Sequence, residues 1–220
     1  MKTTRSSILC LVVLLLAVPL LRAQDLSKYR HFTLGMSLTK VLERTEQKIA
    51  DARLIHSRPA LIQELTWWPP NLPGTSFQSD TAEQILFSFY NGELYKISVT
   101  YDRTSIEGLT AEDMVKSISA KYGPATYDAL AIDPIASAGQ QPVASWNDSQ
   151  YSFNLVRSSY SGSFELVIYS KKANAESTLA IVKAMKLEEQ EGPQREAERQ
   201  KKEADDLEAA RQKNRKIFRP

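Results

Sequence analysis

Cysteine occurs once in the chain, at Cys10, inside an apolar run over 8–21 that follows Lys2 and Arg5. A short basic start, an apolar stretch of this length and a small residue at Ala23 make the pattern of a secretory signal peptide over 1–23, with Gln24 opening the mature chain. The run is shorter than the roughly 20 residues of a membrane-spanning helix, so no stable membrane anchor is expected after its removal. Cys10 lies within the run, not beyond its far end after a small residue, so a lipid-bearing cysteine is not expected. Without Cys10 the mature chain has no thiol. That excludes disulfides, thiol nucleophiles and cysteine metal sites from it. Core burial alone must hold it together, and about 160 residues suffice for one core.

Histidine is almost as scarce. His31 and His56 are the two in the chain, and a predicted helix separates them. They have no metal-binding spacing, and a metal site needs several ligands. The eight glycines are too dispersed for a phosphate-cradling loop, and no Gly-x-Ser-x-Gly elbow occurs. A large charge of one sign is missing too. The formal +2 becomes −1 once Lys2, Arg5 and Arg22 leave, so nothing argues globally for nucleic acid. Asp102 beside Arg103, and Glu93 at a turn, read as solvated or locally paired loop charges worth about 0–1 kcal/mol. No catalytic residue, cofactor or metal is assigned.

What is present is a well-marked hairpin. Residues 85–102 alternate apolar and polar around Asn91-Gly92, the strongest short hairpin signal. A two-residue loop would pair Phe87 with Lys96 and leave Ile97 on the wrong face. A three-residue loop, Tyr90-Asn91-Gly92, pairs Phe89 with Glu93, Phe87 with Tyr95 and Ile85 with Ile97. Parity therefore predicts the longer loop, with Gly92 left-handed in a bulge. A second hairpin is predicted from the alternation of Tyr151, Phe153 and Leu155 with Phe164, Leu166 and Ile168. Its Ser/Gly turn needs an even loop, 159–162.

Two helices are predicted with the same start. Ser37 caps one over 38–49, with Met36 and Val41 as a hydrophobic staple. Thr110 caps the other, which ends at Tyr122; Asp113 completes a capping box, Leu109 and Met114 form the staple, and Gly123-Pro124 stops it. Each is followed by a tryptophan-bearing strand (61–68 and 143–146) and then by its hairpin. The offset is about 73 residues at the helix starts and about 66 at the hairpins, as unequal loops would give. The expected fold is α+β: two αβββ repeats, about 34–103 and 107–187, joined edge to edge into one antiparallel sheet. The helices pack on one face and leave the other partly polar at Ser88, Lys96, Ser98 and Thr100. A third helix is expected after Asn174 with Leu179, Val182 and Met185 on one side. Beyond the 24–187 domain, 188–220 is charge-dense without an a/d heptad, a helical or disordered tail, with a break expected at Gly192-Pro193 if helical.

The Gly35-Met36-Ser37 helix start, Val41 three residues after Leu38, and the later Lys121-Tyr122-Gly123-Pro124 resemble a recurring pattern of small bacterial envelope domains. The pattern, over about 34–170, is similar to that of the SmpA/OmlA outer-membrane assembly lipoproteins and the fold-related β-lactamase inhibitor proteins. That resemblance implies helices packed on a small antiparallel sheet and non-catalytic protein binding. The chain lacks the anchor cysteine of the first and the disulfides of many of the second.

For binding, Trp67-Trp68-Pro69-Pro70 stands out. Adjacent strand residues point to opposite faces, so one tryptophan can join the core while the other is displayed. Tyr160 in the second turn is a weaker analogue. The expectation is an exported, periplasmic or secreted, non-catalytic module that binds an envelope or secreted protein through these residues or the open sheet face. One alternative is a hydrolase or small-molecule enzyme with an unrecognised site, drawing on Asp102, His31 or His56 in a common pocket; another is a periplasmic spacer acting through the charged tail.

Overall fold

The computed structural model describes residues 25–70, 81–126 and 139–219. The signal-peptide expectation and the Pro73-Gly74 part of the loop lie outside the described residues. A small hairpin opens the chain, β1 (Lys28–Tyr29) and β2 (Phe32–Thr33). Helix α1 (Leu38–Thr45) follows, then a 3-10 turn (Ile49–Asp51) and strands β3 (Arg53–His56), β4 (Ile62–Trp67), β5 (Ala82–Tyr90) and β6 (Glu93–Tyr101). Helix α2 (Ala111–Tyr122) leads to β7 (Gln140–Asn147), β8 (Tyr151–Ser158) and β9 (Phe164–Ser170), and α3 runs over Lys171–Ile217.

The fold is α+β. Strands β3 to β9 form one antiparallel sheet in the order β3-β4-β5-β6-β9-β8-β7. The two αβββ units are α1 with β4–β6 and α2 with β7–β9, and they meet where β6 pairs β9, centred on Ser98 opposite Val167. Counting outward from that joint, Trp67 and Trp146 hold equivalent places. Each faces a residue, Ile85 or Phe153, that in turn faces a neighbour-strand residue, Val99 or Ile168, one past the centre. Strand β3 is an addition that sequence periodicity did not signal.

The first sheet face carries the core. Leu65, Ile85, Phe87, Phe89, Leu94, Ile97, Val99, Phe153, Leu155, Leu166 and Ile168 are buried there with Leu38, Val41 and Leu42 of α1 and Met114 and Ile118 of α2. At about 1.5–3 kcal/mol for each large apolar side chain removed from water, this is the main stabilising layer. Both helices start as their caps dictate: Ser37 accepts from the Lys40 amide, and Thr110 and Asp113 make a reciprocal box. Helix α1 stops at Thr45, earlier than its sequence pattern predicts, because Glu46 turns left-handed at φ 56°. Leu109, expected in a staple, is exposed.

The hairpin turn differs from the parity prediction. Tyr90 pairs Glu93 and Phe89 pairs Leu94, so the loop is the two residues Asn91-Gly92. Both have positive φ, 51° and 83°, the signature of a type I′ turn. The required parity change occurs inside β6. The register shifts between Ser88 and Phe89, leaving Tyr95 as an extra residue, and Phe87 then pairs Ile97 and Ile85 pairs Val99. Ile85, Phe87, Phe89, Ile97 and Val99 lie on one face as predicted, but Leu94 joins that core in place of the expected Glu93 and Tyr95, because a strand bulge and not a longer turn makes the parity change. In the second hairpin the Ser158 amide donates to the Ser163 carbonyl and Gly162 to Ser158, enclosing the expected even loop over 159–162.

Helix α3 corrects two expectations. Its cap is Ser170, whose hydroxyl accepts from the Ala173 amide, and the helix continues through Pro193 to Ile217. It also lies against the second sheet face, opposite α1 and α2. Ile62, Ser88 and Tyr169 are buried on that face, and His56, paired with Ile62, reaches Glu188 of α3 at 3.0 Å. The stripe α3 buries is Ser177, Ala180 and Ala184, while Leu179, Val182 and Met185 point to solvent. Small side chains let the helix axis come close to the strands, and that proximity, not hydrophobicity, selects the inner stripe.

Candidate functional site

Helix α3 crosses the end of the second face nearest the Asn91-Gly92 turn. Toward the other end Glu64, Thr66, Leu86, Ser98 and Thr100 are partly exposed, while Val156 and Val167 on β8 and β9 are buried. At the β3–β4 margin a hollow of about 640 Å³ is lined by Gln47, Asp51, Arg53, Glu64, Thr66, Trp68, Gln84 and Leu86. Alternation along β4 and β5 builds it, since Glu64, Thr66, Gln84 and Leu86 occupy the positions opposite in face to Leu65 and Ile85. Arg53 and Glu64 are paired across the strands at 2.7 Å.

The two adjacent tryptophans separate as alternation predicts. Trp67 packs against the core, its ring edge-on to Phe32 with centroids 5.9 Å apart. Trp68 is 62% exposed at the rim of the hollow. Ile49 and Leu54 are exposed as well, but Leu54 pairs Gln63 and faces away from the hollow. Gln47 is a residue that sequence reasoning missed. Its side-chain N–H donates to the Thr66 carbonyl at 3.0 Å, while its Oε1 is buried with no hydrogen-bond partner among the described residues. A glutamine just past a helix end carries no sequence signal; only the early stop of α1 at Glu46 brings it here.

Further across the same face stand Lys96, Ser98, Thr100 and Glu165, all partly exposed. Burial raises the Glu165 carboxyl pKa, opposed by the Ser98 hydroxyl bond, the Lys96 charge and the Gln140 amide, which donates to it at 2.6 Å. Ser88, expected to be open, is buried.

Tyr160 sits in the β8–β9 turn, 91% exposed, with its ring over Gly139. It belongs to the same end of the sheet as Trp68, but β5, β6 and β9 lie between them. The structure does not bring Tyr160 and Trp68 into one site. His31, His56 and Asp102 are also held apart. His31 rests on the Phe32 ring, His56 bonds Glu188 on the second face, and Asp102 accepts from the Ser105 amide in the loop after β6. Among the described residues no three His, Cys, Asp or Glu side chains group as metal ligands. No described helix is long and apolar enough to cross a membrane.

A second cavity, about 320 Å³, lies under α2 between Tyr101, Ile106, Met114, Ile118 and Leu166, with Arg30 and Lys121 among its lining. The Tyr122 hydroxyl there donates to the Lys28 carbonyl at 3.1 Å, and burial pushes its pKa from 10.0 to about 12.

The fold is a two-unit αβββ domain whose second sheet face is partly exposed along β4 to β6. Comparisons with protein-family models, with curated proteins and with solved structures found no match to this chain.

Proposed function

We propose that this protein is a non-catalytic, extracytoplasmic binding module that captures a protein partner on the partly exposed β3–β5 margin of its second sheet face, with Trp68 as the anchor. The observation that carries the reading is the exposed Trp68 ring at the rim of the Gln47–Thr66 hollow. A large rigid aromatic beside a concave, polar-lined surface is what interface hot spots are made of. Export is read from the 1–23 pattern, and the resemblance to envelope assembly modules and inhibitor proteins points the same way.

Trp68→Ala should weaken recovery of a partner crosslinked in envelope extracts by about thirtyfold, near 2 kcal/mol, and leave the melting temperature unchanged. Trp67→Ala should lower the melting temperature, because that ring is packed on the core. Undiminished recovery with Trp68→Ala, or no partner at all, would count against the proposal. The spacer reading draws on one observation, the solvent-exposed stretch of α3 beyond Glu191, and deleting 192–219 tests it. Loss of localisation with retained capture would favour the spacer role.

A further inference from the structure

The last turns of α3 combine three properties. Arg211, Lys213, Arg215, Lys216 and Arg219 place five cations after Glu208 with no acid among them. Ile217 and Phe218, at the helix end, are 67% and 75% exposed. The helix that carries them is tied to the domain by its buried stripe and by Glu188–His56 and Glu191–Arg58, the latter 2.7 Å, and every residue from Pro193 to Arg219 is exposed. The stretch from Glu191 to Phe218 is about 40 Å long at 1.5 Å per residue.

We propose that this helix end docks reversibly, end-on, on a bilayer bearing anionic phospholipid headgroups, and holds the binding domain at a distance set by the helix. Basic side chains near an anionic leaflet attract it within about a Debye length, and Ile217 and Phe218 supply apolar groups that enter the headgroup boundary. The acids behind the tip fix the orientation. Asp205, Asp206 and Glu208 would meet the same anionic surface if the helix lay flat, and stay clear of it if the helix stands. The two apolar residues at the tip favour lipid over nucleic acid, whose phosphates would use the cations alone.

The test uses the mature protein with vesicles of phosphatidylcholine alone or mixed with phosphatidylglycerol. Flotation is expected only with the anionic vesicles, and is expected to fade as salt rises. Neutralising Lys213, Arg215 and Lys216 to Gln should weaken binding by about fivefold per charge, and Ile217→Ala with Phe218→Ala should weaken it at unchanged charge. These residues are exposed, so circular dichroism and melting should not move. A Phe218→Trp reporter should be quenched by brominated acyl chains while Trp67, Trp68 and Trp146 in the parent protein are not. Equal flotation with neutral vesicles, binding that survives charge neutralisation, or a DNA duplex that competes fully and ignores the loss of Ile217 and Phe218 would each overturn the proposal. Capture of the protein partner by Trp68 is read separately without vesicles, so failure of one does not imply failure of the other.

Discussion

Tyr122 shows how one residue ties electrostatics to packing. Its hydroxyl closes the small β1–β2 hairpin onto α2 through the Lys28 carbonyl, and its ring stacks on Phe153 with centroids 4.5 Å apart. Burial raises the phenol pKa from 10.0 to about 12, with Asp25 adding to the shift and Arg30 opposing it. A raised pKa means that the folded state holds the proton more tightly than the unfolded chain. The stabilisation is therefore complete below pH 10.0 and is lost as pH climbs toward about 12. Melting temperatures measured across that window should fall more steeply for the parent protein than for Tyr122→Phe, which should be less stable at neutral pH through loss of one hydrogen bond, about 1 kcal/mol. At this scale much was legible. Ser37, Thr110 and Asp113 announce their caps because capping is local chemistry. The Trp67/Trp68 division follows from alternation alone. Gln47 was not legible, since its place depends on where α1 happens to stop.

Among the elements, the first hairpin is the most instructive. Alternation correctly required one residue too many between Phe89 and Ile97, yet could not say where the chain absorbs it. Asn91-Gly92 is a strong two-residue turn, and the tip is held by contacts that no local pattern reveals: Leu38 donates to the Gly92 carbonyl and Asn91 to that of Leu61. The surplus then moves to Tyr95. Deleting Tyr95 should thus leave Ile85–Val99 and Phe87–Ile97 paired, at the cost of one buried ring, about 3 kcal/mol. Deleting Ser98 should abolish the fold, because Val99 and Tyr101 would turn to the other face. Amide exchange and near-ultraviolet circular dichroism distinguish the two outcomes. The inner face of α3 escaped sequence reading for a related reason. Hydrophobicity picks Leu179, Val182 and Met185, whereas close approach to strands picks Ser177, Ala180 and Ala184.

On the scale of the whole molecule, the sequence repeat foretold the architecture. Matching helix caps, tryptophan-bearing strands and hairpins are enough to place two αβββ units, and the units join through their third strands, β6 and β9. What the repeat does not contain is what breaks the symmetry. Strand β3 widens one unit, and α3 covers one end of the second face. Strand β3 supplies Arg53 to the wall of the Trp68 hollow, and α3 lies over the other end of that face.

The β6–β9 joint carries one more implication. Five residue pairs from Lys96–Tyr169 to Thr100–Glu165 are the register by which one unit recognises the other, and the connection between them, through the exposed residues near Glu107, contributes none of it. The protein is in this sense a covalently tethered heterodimer. Cut at Glu107, each fragment would present a naked strand edge and half an apolar face, neither tenable in water alone. Mixed together, they should reassemble, with recovery of tertiary circular dichroism that neither half shows by itself. Arg replacing Val99 and Leu166, which face each other across the joint, should prevent that reunion.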